Sequence, residues 1–172
     1  AMAALDAAAR HPDLALLPAL MPLATTGDPM QRYEVRVALK AVLTNTPADS
    51  RFSSTVNDFS ESEDLCLAEV CLAVPGKTSA EFVLSHFSTL RSHPRFNDFV
   101  AYLTRNLAAD KLPALIGQLD PATPRTIEQE WELLRALSEG LKRSNAKVPD
   151  ELRDWARQMA ERLLARCDQP GN

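Results

Sequence analysis

The stretch that decides the fold is Leu14-Ala15-Leu16-Leu17-Pro18-Ala19-Leu20-Met21-Pro22-Leu23, then Asp28-Pro29, then Val35-Arg36-Val37-Ala38-Leu39-Lys40-Ala41-Val42-Leu43. Its first part places Leu14, Leu17, Leu20 and Met21 at helical spacing. His11-Pro12-Asp13 starts that helix, since proline fits a first turn and aspartate complements the helix dipole there. Thr25-Thr26-Gly27 ends it. Asp28 is then an N-cap acceptor, Pro29 fits the first helical position, and Gln31 completes a capping box. In the body, Tyr33, Val37 and Ala41 form one apolar stripe, and Val35, Ala38, Leu39 and Val42 widen it. A helix with so little polar surface is expected to be covered on several sides.

Outward from this pair, the same pattern repeats. Ala3 to Arg10 is alanine-rich and helix-prone. Thr44 to Phe59 is polar, contains Pro47 and reads as a long loop. Ser60-x-x-Glu63 is a second capping box, opening a nearly uncharged helix from Leu65 to Ala73 that Pro75-Gly76 closes. Thr78-x-x-Glu81 opens another, with Phe82, Leu84, Phe87 and Leu90 inward. His93-Pro94 leads into Phe96, Phe99, Val100, Leu103 and Leu107, and Leu112 to Leu119 is a short helix ending at Asp120-Pro121. In the last two helices, Ile127, Trp131, Leu134, Leu137 and Leu141 form one stripe, and Leu152, Trp155, Ala156, Met159 and Leu163 the other. Trp131 and Trp155 are expected to share a cluster with Leu134, Met159 and Leu163. The count is eight or nine helices with no period-two strand pattern, an all-α chain.

Hydrophobic residues make up 45% of the 172 and charged residues 24%, the ordinary globular range. Residues 3–167 read as a single helical domain, 1–2 as a cloning scar and 168–172 as a linker, so the sequence is taken as a piece of a longer protein. It shows no signal peptide, and its compartment stays open. The net charge of −4 disfavours nucleic acid as a partner, because phosphate binding needs concentrated Lys and Arg. No apolar run approaches the roughly 18–20 residues that span a bilayer.

Residues 14–43 resemble a HEAT repeat: a leucine-rich helix with a proline, an Asp at the turn, and Val35-Arg36-x-Ala38 on the second helix. The gap from Asp28 to Val35 is about two residues longer than that pattern has. Leu112-Pro113-Ala114-Leu115 echoes Leu17-Pro18-Ala19-Leu20 at a separation of 95 residues. The resemblance implies a right-handed α-α superhelix, a HEAT-like solenoid in the armadillo-type class, within a larger bacterial multidomain protein. It implies a non-catalytic scaffold or protein-interaction domain whose partners are proteins or neighbouring domains of the same polypeptide. It leans towards an extracytoplasmic setting. The alternatives are a nucleic-acid-binding HEAT-like module and an enzyme without a recognisable motif.

Candidate sites are few. Arg32, Arg36 and Lys40 recur every four residues and give one helix a basic stripe that fits an acidic partner. The competing reading is a solvated face, with Arg36 paired to a turn aspartate, Asp28 or Asp120, as in HEAT-like stacks. His11, His86 and His93 show no metal-ligand spacing. Cys66, Cys71 and Cys167 form no Cys-x-x-Cys motif and read as buried inert thiols. Ser60, Glu61, Ser62, Glu63 and Asp64 read as dipole-complementing caps. Asp58 with Glu61, and Glu128 with Glu132, are nominal carboxylate pairs that nothing places in a cleft. No catalytic set, metal or cofactor is assigned.

Overall fold

Ten α-helices and no strand make up the regular structure in a computed structural model that describes residues 2–46, 52, 59–119, 123, 125–144 and 147–167. Residue 1, most of the 44–59 stretch, Asp58, Asp120 and the 168–172 tail lie outside the described residues, as do the side chains of Leu163 and Cys167. The chain divides into two compact units, Ala1–Ser92 and His93–Asn172. No described helix is long and apolar enough to cross a membrane.

The first unit holds α1 (Met2–Arg10), α2 (Leu17–Thr26), α3 (Pro29–Asn45), α4 (Glu61–Cys71), α5 (Lys77–Ser85) and the single turn α6 (Phe87–Leu90). A 3-10 turn, Leu14–Leu16, precedes α2, and the Asp13 carboxylate caps it by accepting from the Ala15 N–H at 2.9 Å. Asp28 caps α3 in the same way, accepting from the Gln31 N–H at 2.9 Å. At α4 the Ser60–Glu63 capping box forms as the sequence predicts. Both α1 and α2 pack on α3, and α4 lies over α2 and α3. Leu17, Met21, Val35, Leu39 and Leu67 are fully buried there. Phe52 is buried too, its ring edge-on to Phe82 with centroids 5.5 Å apart.

Three expectations for this unit are corrected. Tyr33 is 64% exposed and Val37 42%. The face that α1, α2 and α4 cover is Val35, Ala38, Leu39, Val42 and Leu43, so Tyr33 and Val37 stay in water. The helix expected from Thr78 begins at Lys77 instead, with Gly76 as N-cap at φ 149°, a conformation that side chains with a Cβ rarely adopt. Glu81 meets Lys77 at 3.9 Å instead of capping the helix. That helix also breaks at His86, which separates α5 from α6, so Leu84 is only half-buried and Val83 takes the core position.

The second unit holds α7 (Phe96–Asn106), α8 (Leu112–Leu119) behind a 3-10 turn (Ala109–Lys111), α9 (Ile127–Ser144) and α10 (Asp150–Cys167). A capping box absent from the sequence reading starts α9: Thr126 and Gln129 exchange side-chain-to-backbone bonds of 3.0 and 3.2 Å. The dominant packing is α7 against α9. At this seam an added Cβ on Gly140 would stand 2.5 Å from the Ala101 carbonyl oxygen and 2.6 Å from Thr104 Cβ. The buried face of α9 is therefore Glu130, Leu133, Ala136, Leu137 and Gly140, with Leu134 and Leu141 at its edge. Trp131 is 58% exposed, against 2% for Trp155, which corrects the shared tryptophan cluster. A seam as tight as that at Gly140 has no room for an indole. Trp155 is buried, and its indole N–H has no hydrogen-bond partner among the described residues.

Buried positions correspond between the units. Leu17, Leu20 and Met21 match Leu112, Leu115 and Ile116, each set behind a 3-10 turn. On α3 and α9, Val35, Ala38, Leu39, Val42 and Leu43 match Leu133, Ala136, Leu137, Gly140 and Leu141. The same register pairs the exposed aromatics Tyr33 and Trp131.

Candidate functional site

The basic stripe lies on α3, and its three members have different surroundings. Arg36 donates to Glu69 of α4 at 2.5 Å, across the α3–α4 contact. Its partner is thus Glu69, not Asp28, whose carboxylate is occupied with the N-cap two turns away. Arg32 and Lys40 are exposed and make no ion pair among the described residues. The Arg36 guanidinium also acts electrostatically on the Cys66 thiol. Burial pushes that thiol up, and Arg36 pulls it back part of the way. Cys71 is fully buried, and burial pushes its thiol up to about 12. Burial of both side chains disfavours the thiolate, which is the reactive form.

A second cluster was not legible in sequence. His86 sits at the α5–α6 break with Nδ1 3.0 Å from the Phe82 carbonyl oxygen and 3.0 Å from Ser85 Oγ, while Nε2 lies 3.4 Å from Asp64 Oδ2. Ser, His and Asp therefore come together here, but not in a catalytic arrangement. Ser85 donates its own proton to the Phe82 carbonyl at 2.7 Å, so no base takes that proton. Burial raises the Asp64 carboxyl, the His86 charge lowers it, and Glu63 raises it again, for a net rise. The cluster ties the first turn of α4 to the end of α5. His93 is structural as well: its Nδ1 accepts from the Arg95 N–H at 3.1 Å and its ring meets Phe99 edge-on. Glu132 meets Asn97 at 3.4 Å on the surface. Among the described residues, no three His, Cys, Asp or Glu side chains are placed to share a metal ion.

A concavity of about 780 Å³ lies between α9 and α10, within the range of ligand-binding clefts. Buried Glu130, near the start of α9, is bonded by Arg162, near the end of α10, so the two helices run antiparallel. Between those ends they touch little, because α9 is drawn onto α7 and α10 rests partly on α8. The gap that results is an open groove. Its α9 wall carries Trp131, Leu134, Ser138 and Leu141, and its α10 wall Leu152, Ala156 and Met159. Exposed Val148 stands at the end nearest the connecting loop.

Among the described residues of the lining, the charged ones are Arg135, Lys142 and Arg153, all basic. Arg153 is committed locally, to Asp150 and to the Val148 carbonyl oxygen at 3.4 Å. Arg135 and Lys142 make no ion pair among the described residues. The sequence reading missed this groove because it turned Trp131 inward. The signal that was available is the small pair Ala136 and Gly140, which marks the face of α9 that meets another helix. No protein-family model, curated protein or solved structure matches this chain, so the groove is read on its own geometry.

Proposed function

We propose that this chain is a non-catalytic helical-repeat scaffold, HEAT-like in its stacking as a right-handed α-α superhelix. Its work is to bind a segment of another protein or of a neighbouring part of its own polypeptide. The observation that carries this reading is the open apolar groove between α9 and α10, with the exposed Trp131 on its wall. Exposed aromatics beside an apolar cleft are where protein interfaces concentrate their binding energy. Three further observations support it. The buried positions of α2 and α3 recur in α8 and α9, as repeated units require. In the Ser85–His86–Asp64 grouping the serine hydroxyl is bonded to the Phe82 carbonyl, which favours a binding role over an enzymatic one. The acidic net charge favours protein over nucleic acid as the partner.

The test is peptide selection on the full chain by phage display, with the Ala156→Trp variant as counter-target. Ala156 is exposed on the α10 wall, so an indole there fills the groove without entering the core. The expected outcome is enriched peptides that bind the parent chain and lose affinity for the variant. Binders indifferent to Ala156→Trp would remove the groove from consideration.

A further inference from the structure

Building on the groove as the binding site, we infer that its occupant is an acidic amphipathic α-helix. The case for a helix starts from what the groove lacks. Its two walls are helices whose backbone groups are already bonded internally, so an extended segment laid there would bury N–H and C=O groups with no partners. A helix satisfies its own backbone and presents an apolar stripe, the helix-in-groove mode of recognition. The dimensions agree. The α9 wall runs from Trp131 to Lys142, about 16 Å at 1.5 Å per residue, which is three turns of an opposing helix.

The acidic character follows from charge complementarity. The charges on the groove lining are basic, and Arg135 and Lys142 are the two without an ion pair among the described residues. They lie seven residues apart on one helix, two turns, or about 10.5 Å along the axis. A helix docked alongside α9 meets both with a pair of carboxylates at i and i+7 on one edge of its apolar stripe, whichever direction it runs. A basic helix would set like charges against the same two positions.

The test uses labelled 14-residue helical peptides with a Leu/Phe stripe at i, i+3, i+4 and i+7, carrying Glu, Gln or Lys at the two edge positions. Fluorescence anisotropy is read on the full chain, on Arg135→Glu/Lys142→Glu and on Ala156→Trp. Exposed ion pairs are individually weak, so two of them amount to about tenfold between the Glu and Lys peptides in low salt. That preference should shrink as salt rises, reverse in the double variant, and disappear with all binding in Ala156→Trp. Equal binding of the three peptides, still lost in Ala156→Trp, would overturn the acidic preference and leave the groove reading intact. Binding that survives Ala156→Trp would overturn the groove reading itself. Two results replace the occupant and overturn the inference: laurate quenching Trp131 emission while no peptide binds, and concentration-dependent dimerisation abolished by Ala156→Trp.

Discussion

Gly140→Ala puts the α7–α9 seam to a quantitative test. In a helix interior, alanine gains up to about 1 kcal/mol over glycine, so a helix with free space around it would be stabilised. Here the new Cβ would stand 2.5 Å from the Ala101 carbonyl oxygen, 2.6 Å from Thr104 Cβ and 3.2 Å from the Arg105 nitrogen. Two of these are backbone atoms. Thr104 has little freedom to turn aside, being buried with its hydroxyl bonded to the Val100 carbonyl oxygen at 2.6 Å. Non-bonded contacts to carbon settle near 3.5–4.0 Å, so the two helices must part by roughly 1 Å. Overpacking of this kind costs about 1–3 kcal/mol. The parting also loosens the buried faces of α7 and α9 from one another, which places the cost in the upper part of that range.

After the helix gain, the expected net loss is about 1–2 kcal/mol, or roughly 2–8 °C in Tm for a chain of this size. Urea unfolding followed by tryptophan emission suits the measurement, because Trp131 and Trp155 both belong to the unit that holds the seam. The midpoint should fall with the slope unchanged. Gly117→Ala is the control of opposite sign: Gly117 is on α8 with nothing within 4 Å of its added Cβ, so it should gain up to about 1 kcal/mol. A Gly140→Ala protein as stable as the parent, or more stable, would refute the close approach of α7 and α9.

Three other outcomes follow from the described contacts. Trp155→Ala should cost about 3–5 kcal/mol as a buried truncation, while Trp131→Ala, on the groove wall, should stay near 0.5 kcal/mol; equal losses in urea midpoint would return Trp131 to the core. In native protein at pH 8, Cys71 should resist Ellman's reagent and react on unfolding, since a thiol at about 12 holds roughly one thiolate in ten thousand at that pH. Asp64 titrates in the reverse sense to most carboxylates. Its folded pKa lies above the ordinary 3.8, so its contribution to stability is full below that value and is lost as pH rises through the folded one. Relative to the parent, Asp64→Asn should therefore gain stability as pH rises above about 4 in paired urea titrations, and a relative loss as pH rises would contradict the burial of this carboxylate.

How much of this was legible depended on whether the signal was local. The caps at Asp28 and Ser60 decided helix starts within a few residues, and both form, while Asp13, read as a first-turn residue, caps a 3-10 turn ahead of α2. Leu112 to Leu119 carries its own boundaries in the Leu-Pro pair and the following Asp-Pro, and the helix has those ends. One helix read from the sequence becomes two among the described residues because His86 divides it, binding a carbonyl of its own helix and a carboxylate from α4, 22 residues away. The direction in which a helix faces was less legible. Tyr33 and Trp131 each lie on an apolar stripe of the right period, yet both are exposed, because the neighbouring helices settle on the smaller residues beside them. The partner of Arg36 lies 33 residues away on α4, beyond what spacing within one helix indicates. The groove depends on α9 choosing α7 over α10, a competition between surfaces that periodicity does not record.

The matching of α3 with α9 also bears on whether the two units could trade parts. Four of the five corresponding buried positions hold residues of similar kind, but Val42 stands where α9 has Gly140. Grafting the α3 sequence onto α9 would drive a branched side chain into the Ala101 carbonyl, against a backbone with no slack to receive it. The reverse graft would leave a hole the size of an isopropyl group where Val42 now fills the α3 core. Shuffling these units, or building a longer array by copying one of them, therefore has to move α7 together with α9 and α1 together with α3. The portable module is the helix pair with its seam, not the single helix.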